Sequence, residues 1–312
     1  SMTDILTPPA SGLTGSFTPS VIAVHGWSLW ATGVPGNPCR LFKSVPQNGG
    51  DFNTNIGAFN TTDGYPLAGA SQIDIRPDDG TKITGLVGDH FGQLIIFKDN
   101  SIHRLVGATK ADYALAPQGV INGIGAIKGS IVRANNDVFF ASRKGIHKLS
   151  TVQEYGDNKE TYISLPIQEL YDNIDKMIIT NTCQSEHWPE VSCIFWAFAT
   201  AGSAVNDLIL CYNYALNSWS VWNGDGLKVK TFGLFKVFGQ NVLHIGDYSS
   251  RIGMANFGMR NDFSFSINFE IELMFGMEKK TLWKCWMDLY IGLNPAGGDL
   301  SISTKVDNLA MD

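Results

Sequence analysis

Aspartates in turn-like contexts are the residues of this sequence whose type best suits catalysis. A pair of carboxylates across a cleft is what glycosidases use to break a glycosidic bond. The candidates by residue type are Asp78, Asp79, Asp89, Asp99 and Asp225. All five stand among Gly or Asn residues, where Asp is common because its side chain hydrogen-bonds the local backbone. Residue type alone therefore assigns none of them a catalytic role.

Other motifs that could carry chemistry are incomplete. His187 and Glu190 in "HWPE" are three positions apart, but Pro189 breaks any helix that would align them, so a loop tip is expected. "GIGAIKG" (123–129) lacks the right third glycine of a dinucleotide-binding loop, and predicted strands flank it. No G-x-S-x-G, H-E-x-x-H or Walker sequence occurs. The sequence predicts no catalytic, cofactor-binding or metal-binding residue, and no enzyme.

The cysteines suggest buried thiols. The sequence has 5, at positions 39, 183, 193, 211 and 285, without C-x-x-C or zinc spacing. Cys193 and Cys211 lie in apolar runs and are predicted to be core thiols. An odd number without a pairing pattern indicates a chain that folds in a reducing compartment, and no cofactor is expected.

Charge and hydropathy exclude two classes of partner. The net charge is −6 and the longest basic cluster is Arg143-Lys144, whereas proteins that bind a duplex usually carry a basic stripe. Sequence-specific nucleic-acid binding is therefore not expected. The longest apolar run (193–201) is too short to cross a bilayer as a helix, so no membrane span is expected. Charged residues make up 17%, which fits either hidden subunit contacts or polar β-turns.

A repeated sequence segment indicates the fold class. "KDNSIHRLVG" (98–107) and "SRKGIHKLST" (142–151) both follow a short apolar run, and they place His103 and His147 at matching positions. Nothing nucleophilic stands beside either histidine, so both are predicted to be structural residues on the polar side of a strand. An apolar run, a polar turn and a second apolar run indicate a β-hairpin.

Related hairpin signals recur along much of the chain. They cover 21–44, 83–107, 130–150, 191–222 and 231–255. Repeats of roughly 40–50 residues with this pattern are typical of a β-propeller. The sequence predicts an all-β fold in which 20–258 form a β-propeller of five or six blades. Residues 1–19 are predicted to be an N-terminal tail, of which Ser1-Met2 is typical of a pair left by cloning.

Two segments interrupt the pattern. Residues 45–82 show little strand signal and predict a long connection, with an arm that reaches a neighbour left open. "SLPIQELYDNIDKM" (164–177) has Ile167, Leu170, Tyr171 and Ile174 at helical spacing behind Pro166, which predicts one short helix between blades.

The last region, 259–312, is predicted to form a small antiparallel β-sheet. "FSFSINFEIELMF" (263–275) alternates apolar and polar residues and would extend about 43 Å as one strand. Strands at 281–293 and 299–307 follow it. An open sheet has edges that invite pairing. Pairing with another subunit and return to the propeller of the same chain both remain open.

The order of the phrases resembles a known family. "GTKITGLVGDHFGQLIIFKDNSIHRLVG", "GVINGIGAIKGSIVRANNDVFFASRKGIHKLS" and "ISLPIQEL" follow one another within about 70–310. This order is similar to the β-propeller tail proteins of tailed bacteriophages, namely the packaged-DNA stabilisation or tail-hub proteins and related tail nozzle proteins. The resemblance implies a virion protein made in the host bacterial cytoplasm, a homo-oligomeric ring with six as the expected number, contacts with portal and other tail proteins, and no catalytic residues.

Two functions are therefore carried forward. The first is a non-enzymatic structural component of a phage or prophage virion, a tail hub or adaptor that works through subunit contacts. The second is a carbohydrate-binding or carbohydrate-cleaving propeller, either an adhesin or a glycosidase-like protein. The low charge content and the open C-terminal sheet favour the first, whereas the polar loop at 45–82 and the aromatic content leave the second open.

Overall fold

The protein is mostly β and is built from antiparallel sheets, as the sequence predicts. A computed structural model describes 17–52, 70–107, 114–116, 121–152, 157–223, 227–237, 239–255, 261–262 and 265–266. Within these residues, five sheets of three or more strands follow one another along the chain. Strands adjacent in sequence pair with each other, except that the last strand of the second sheet pairs with the strand two before it. Short polar turns between apolar runs allow this pattern, because consecutive antiparallel strands need only a tight connection.

The first two sheets lie between residues 21 and 122. The strands of the first sheet are β1 (Val21–His25), β2 (Ser28–Thr32), β3 (Arg40–Lys43) and β4 (Ser71–Asp74). Those of the second sheet are β5 (Ile83–His90), β6 (Gln93–Lys98), β7 (Ser101–Val106), β8 (Ala114–Leu115) and β9 (Ile121–Asn122). The prediction for 45–82 was incomplete, since β4 lies inside it. Ser71–Asp74 gives little apolar signal because only Ile73 in it is a large apolar residue.

Three further sheets and a short strand pair follow. The third sheet consists of β10 (Val132–Ala134), β11 (Asp137–Ala141), β12 (Ile146–Val152) and β13 (Asp157–Tyr162). The fourth consists of β14 (Gln184–Trp188), β15 (Cys193–Phe198), β16 (Leu208–Asn213) and β17 (Ser218–Asn223). The fifth consists of β18 (Val229–Val237), β19 (Gln240–Asp247) and β20 (Ile252–Met254). A separate pair joins β21 (Asn261–Asp262) to β22 (Phe265–Ser266).

Four apolar clusters each join side chains of two consecutive sheets. Leu94 and Ile96 of β6 pack with Trp30 and Leu41 of the first sheet. The intervening Ile95 and Phe97 pack with Val138 and Phe140 of the third sheet. Successive side chains of a strand point to opposite faces, so an uninterrupted apolar run serves a sheet that is covered on both sides. The same arrangement joins the third sheet to the fourth and the fourth to the fifth.

The repeated histidines are buried packing residues. His103 in β7 and His147 in β12 are almost fully buried, although the alternation had placed them on the polar side of their strands. Nε2 of His103 lies 2.9 Å from Oγ of Ser101, and Nε2 of His147 lies 2.8 Å from Oγ of Ser142. A hydroxyl partner allows a polar ring to be buried at low cost, and the matching positions explain the recurrence of the phrase.

Short helical turns lie between the third and fourth sheets. A 3₁₀ turn (Leu165–Ile167) with Pro166 in its first turn leads into α1 (Gln168–Asp172), and α2 (Ile179–Thr182) follows. Tyr171 and Ile174 pack with the apolar residues that join the two sheets. The single helix predicted for 164–177 is thus broken up, and Leu170, predicted on its apolar stripe, is 40% exposed.

First strands of successive sheets lie against one another. β1 packs on β5, β10 on β14, and β14 on β18. Glycines allow the close approach: a Cβ at Gly88 would overlap the carbonyl oxygen of Val24, and one at Gly129 would overlap that of Cys183. The side chain of Ile131 similarly occupies the space beside Gly85. These contacts bring the start of each sheet to a shared region.

Several predictions concern residues that the structure does not describe. The strands expected at 281–293 and 299–307, most of 263–275, and Cys285 lie outside the described residues. Cys193 and Cys211 are buried and free, which confirms the prediction that they are core thiols, and Cys39 and Cys183 are buried and free as well. Neither α1 nor α2 is long and apolar enough to cross a membrane, and no other helix of the described residues is.

Candidate functional site

The structure separates Asp89 from Asp79 and Asp99. Asp89 lies near the end of β5, beside the start of β6, whereas Asp99 directly follows the other end of β6, where Asp79 contacts Lys98. A strand of this length holds its ends about 17 Å apart. Glycosidases need their two carboxyl groups within about 5–9.5 Å, so Asp89 cannot pair with either of the other two. Asp225 lies outside the described residues.

Asp79 anchors a buried lysine. Lys98 is completely buried, and its Nζ lies 2.6 Å from Oδ1 of Asp79. The same ammonium donates to the carbonyl oxygens of Ile75 (2.9 Å) and Arg76 (2.8 Å). Burial raises the pKa of Asp79, but the hydrogen bonds from Lys98 and Thr81 outweigh this effect, so the pKa lies below its usual value. Asp79 therefore has a structural role between the first and second sheets; its neighbour Asp78 is exposed in the same 3₁₀ turn.

The remaining sequence motifs also have structural roles. Nε2 of His187 lies 3.1 Å from the hydroxyl oxygen of Tyr214, while Oε1 of Glu190 accepts a hydrogen bond from the backbone N–H of Asn241 (3.1 Å). The two side chains of "HWPE" thus have different partners, and a 3₁₀ turn at Pro189–Val191 connects the strands, as the proline predicts. "GIGAIKG" (123–129) connects β9 to β10 without a helix.

A cavity of about 730 Å³ lies between the first strands of successive sheets. Its walls come from residues 20–24 of the first sheet, 84–88 of the second, 128–133 before and within the third, and 180–184 before and at the start of the fourth. This volume lies in the range of about 300–1,000 Å³ typical of small-molecule sites. The glycine contacts between first strands hold these four walls together.

The charged residues of the cavity wall are both basic. Lys128 and Arg133 line the cavity, and no Asp or Glu of the described residues lines it. Nη1 of Arg133 is 3.4 Å from the carbonyl oxygen of Gly88, while Lys128 forms no hydrogen bond or ion pair within the described residues. Burial lowers the pKa of His90, and the positive charge of Arg133 lowers it further. The wall is positive although the whole chain carries −6.

Polar side chains of the wall leave hydrogen-bonding capacity unused. The hydroxyl of Thr84 is buried, with 2% of the residue exposed, and has no partner among the described residues. The side-chain amides of Asn181, which is exposed, and Gln184, which is half-buried, form no hydrogen bond in this part of the chain. The buried hydroxyl of Thr84 is the group that calls for an explanation, because unpartnered buried polar groups are uncommon.

A second region consists of two hairpin tips, which we call the tip pair: Gly26-Trp27 between β1 and β2, and Phe91-Gly92 between β5 and β6. Trp27 is 79% exposed and Phe91 is 50% exposed. Both have left-handed backbones, with φ of 62° and 52°. Asp89 connects the tips, since its Oδ1 lies 2.7 Å from Nδ1 of His25 and 3.4 Å from the backbone nitrogen of Gly26.

Neither the cavity nor the tip pair was predicted from the sequence. Tight hairpin turns with positive φ at both positions favour Asn-Gly or Asp-Gly. An aromatic residue next to Gly at such a turn is the signal that could have found Trp27 and Phe91. For the cavity no comparable signal exists, because its lining depends on which strands meet. No cluster of three or more His, Cys, Asp or Glu able to hold a metal occurs within the described residues.

No protein-family model and no curated protein sequence matches the chain. Among solved structures, BBS1N in complex with ARL6DN is 12% identical with a TM-score of 0.43 over 75% of this chain. A streptogramin B lyase is 13% identical, with a TM-score of 0.40 over 77% of this chain and 69% of its own. The extracellular domain of a hybrid two-component system of B. thetaiotaomicron is 10% identical, with a TM-score of 0.44 over 79% of this chain and 28% of its own. The chain spans 62% of the BBS1N chain.

Proposed function

We propose that the protein is a non-enzymatic structural component of a bacteriophage or prophage virion. In this proposal it is a five-bladed β-propeller that forms a tail hub or adaptor through contacts with copies of itself and with portal and tail proteins. The five consecutive sheets are the blades, and the first strand of each lies nearest the axis. Packing of β1 on β5, β10 on β14 and β14 on β18 supports this radial arrangement.

The placement of the family-like phrases is the observation that carries the proposal. "ITGL" begins β5, the first strand of its sheet, and "GIG" lies just before the third sheet. "LIIFKDNSIHRL" forms the β6–β7 hairpin, and "VFFASRKGIHKL" forms the β11–β12 hairpin at the same place of the next sheet. "ISLPIQEL" follows the last strand of that sheet. Two of the sequence segments that resemble the phage tail proteins therefore form structurally equivalent hairpins in successive sheets.

The tip pair is the surface we assign to subunit contacts. Trp27 and Phe91 expose large apolar rings on neighbouring hairpins. Aromatic residues are enriched in protein interfaces and dominate their energetics. A left-handed backbone is unfavourable for both residues, and such strain is often kept where function requires it.

Assembly tests the proposal. The full chain is concentrated and its mass distribution is measured by light scattering and analytical ultracentrifugation, with negative-stain microscopy of the largest species. We expect rings in wild type and their loss in a Trp27→Ser, Phe91→Ser double variant. Leu216→Ser is the matched control, because Leu216 is 75% exposed but lies on the fourth sheet's last turn. A wild-type chain that stays monomeric alone and in the presence of portal and tail proteins would contradict the proposal.

The second candidate, a carbohydrate-binding propeller, is favoured by one observation. Two exposed aromatic rings with the carboxylate of Asp89 between their hairpins are a suitable arrangement for stacking and hydrogen bonding to a sugar. The separation of Asp89 from Asp79 and Asp99 speaks for binding rather than cleavage within this candidate. A glycan array with wild type and the double variant distinguishes the two: saturable glycan binding that the variant loses supports the second candidate, whereas rings without glycan binding support the first.

A further inference from the structure

We propose that the cavity between the first strands binds a small organic oxyanion, a carboxylate or phosphate, through Lys128 and the side chains of Thr84, Asn181 and Gln184. This goes beyond the structural role in a virion, since it assigns a ligand class to a site that assembly through the hairpin tips does not need. It depends on the chemistry of the cavity wall and not on the tip pair.

The donor content of the wall argues for an anion. An ammonium donates only, a guanidinium donates only, and hydroxyl and amide groups can donate as well as accept. Lys128 and Arg133 provide the two formal charges, and no carboxylate of the described residues balances them in the wall. Hydrogen bonds from a cation to an oxyanion are shorter and stronger than neutral ones. A ligand with negatively charged oxygens would satisfy this lining best.

The arrangement of the wall gathers these donors from three sheets. Gly129, next to Lys128, is in contact with Cys183, which directly precedes Gln184. Gly85, next to Thr84, meets the side chain of Ile131. These close contacts bring the second, third and fourth sheets together at the end of the cavity where their first strands begin. The unpartnered hydroxyl of Thr84 lies at this end and is an independent observation in favour of a polar ligand.

The rest of the cavity suits an organic body. Ile22 and Val24 of β1 line the cavity and expose 55% and 63% of their surface, and Val87 adds a further apolar side chain. Sites for small molecules typically combine an apolar lining with a few polar groups that fix orientation. Arg133 lies five residues beyond Lys128 along the chain, at most about 17 Å away, and would meet a second polar group of the ligand.

Calorimetric titration of the full chain at pH 7 and constant ionic strength tests the inference, with inorganic phosphate, citrate and the neutral probe glycerol. We expect saturable binding of phosphate or citrate and none of glycerol. Binding of phosphate alone assigns a phosphate ligand, and binding of citrate alone assigns a carboxylate ligand. Saturable binding of neither anion, or of glycerol to the same extent, overturns the inference.

Three variants locate the site. Lys128→Gln should weaken the affinity for the anion at least about tenfold. Lys236→Gln is the control, because it removes an exposed charge on the fifth sheet and should leave the affinity unchanged. Thr84→Val keeps the shape and removes a buried hydroxyl that lacks a partner, so it should weaken binding without lowering the unfolding midpoint. Equal affinity in wild type and Lys128→Gln, or equal losses in Lys128→Gln and Lys236→Gln, overturns the assignment. Assembly into rings should be unaffected by all three variants, so failure here is distinguishable from failure of the virion proposal.

Discussion

Replacing Trp27 with Asn should leave the protein as stable as wild type or slightly more stable. Truncating a tryptophan in a protein core usually lowers the free energy of unfolding by about 3–5 kcal/mol. The expectation for Trp27 differs from this usual effect. It follows from two features of the β1–β2 turn: Trp27 is 79% exposed, and its φ is 62°. Gly26 beside it also has a positive φ, of 56°, which is the backbone of a tight hairpin turn.

The two opposing contributions are similar in size. About a fifth of Trp27 is buried; a fully buried aromatic ring covers about 150–250 Å², so roughly 40 Å² is lost, or about 1 kcal/mol at 25 cal/mol per Å². A left-handed backbone costs an ordinary L-residue about 1–2 kcal/mol. Asn tolerates this region much better and is favoured in such turns. The expected net change is a gain of about 0–0.5 kcal/mol in the free energy of unfolding.

Urea unfolding followed by far-ultraviolet circular dichroism measures this change without relying on tryptophan fluorescence. The midpoint should stay constant or rise while the slope of the free energy against urea is unchanged. Leu216→Asn is the control, because Leu216 is 75% exposed but is not among the residues with positive φ. A loss greater than about 1 kcal/mol in the Trp27 variant alone would refute the reasoning and indicate that the ring packs in the isolated chain.

Three further predictions concern packing and protonation. Gly88→Ala should lower the free energy of unfolding by about 3 kcal/mol or more, because its Cβ overlaps backbone of β1, whereas Gly49→Ala meets only ordinary contacts and should change it little; thermal unfolding compares the two. Asp79→Asn leaves the ammonium of Lys98 buried without its carboxylate and should cost about 3 kcal/mol at pH 7. Because the pKa of Asp79 is lowered in the folded state, this stabilisation is present above about pH 4 and is lost as the pH falls through the folded pKa. The free energies of unfolding of wild type and variant should therefore converge in acid. A constant difference down to about pH 2 would exclude the ion pair as the cause. Burial lowers the pKa of Lys176 to about 8, so this side chain loses its proton at a lower pH in the folded state than in the unfolded state. Wild type should therefore gain stability relative to Lys176→Gln between pH 8 and about 10.5. No change in that pH range would contradict the burial argument.

Local patterns predicted the hairpins because their determinants are local. In β6 and β11 an apolar run on both faces, followed by a polar turn, specifies a strand covered by two neighbouring sheets. β4 was missed because Ser71–Asp74 is recruited by pairing with β3 and has little pattern of its own. The helix at 164–177 was only partly predicted, since tertiary packing of Tyr171 and Ile174 fixes single turns that do not continue.

The candidate sites depend on contacts between segments far apart in sequence. Asp79 and Lys98 looked like separate turn and strand residues, and only the fold shows that one neutralises the other. Lys128 lies in a glycine-rich connection that resembled an incomplete dinucleotide loop, and nothing in that motif indicates that Gln184 lies across from it. Local sequence patterns predict whether a residue lies in a strand. They do not predict which strands lie next to each other, and the lining of the cavity depends on that arrangement.

The repeat and the cavity occupy different parts of each sheet, and this division guides where function should be sought. The repeated hairpins β6–β7 and β11–β12 are buried, so their similarity preserves packing between sheets. The first strands differ in sequence from one sheet to the next, yet they line the cavity together. A ligand that lies between sheets meets each wall once, so its contacts need not repeat. Variation among first strands is therefore the expected signature of a binding cavity, and Lys128, which lies in such a non-repeated segment, is the residue on which the oxyanion site should first be tested.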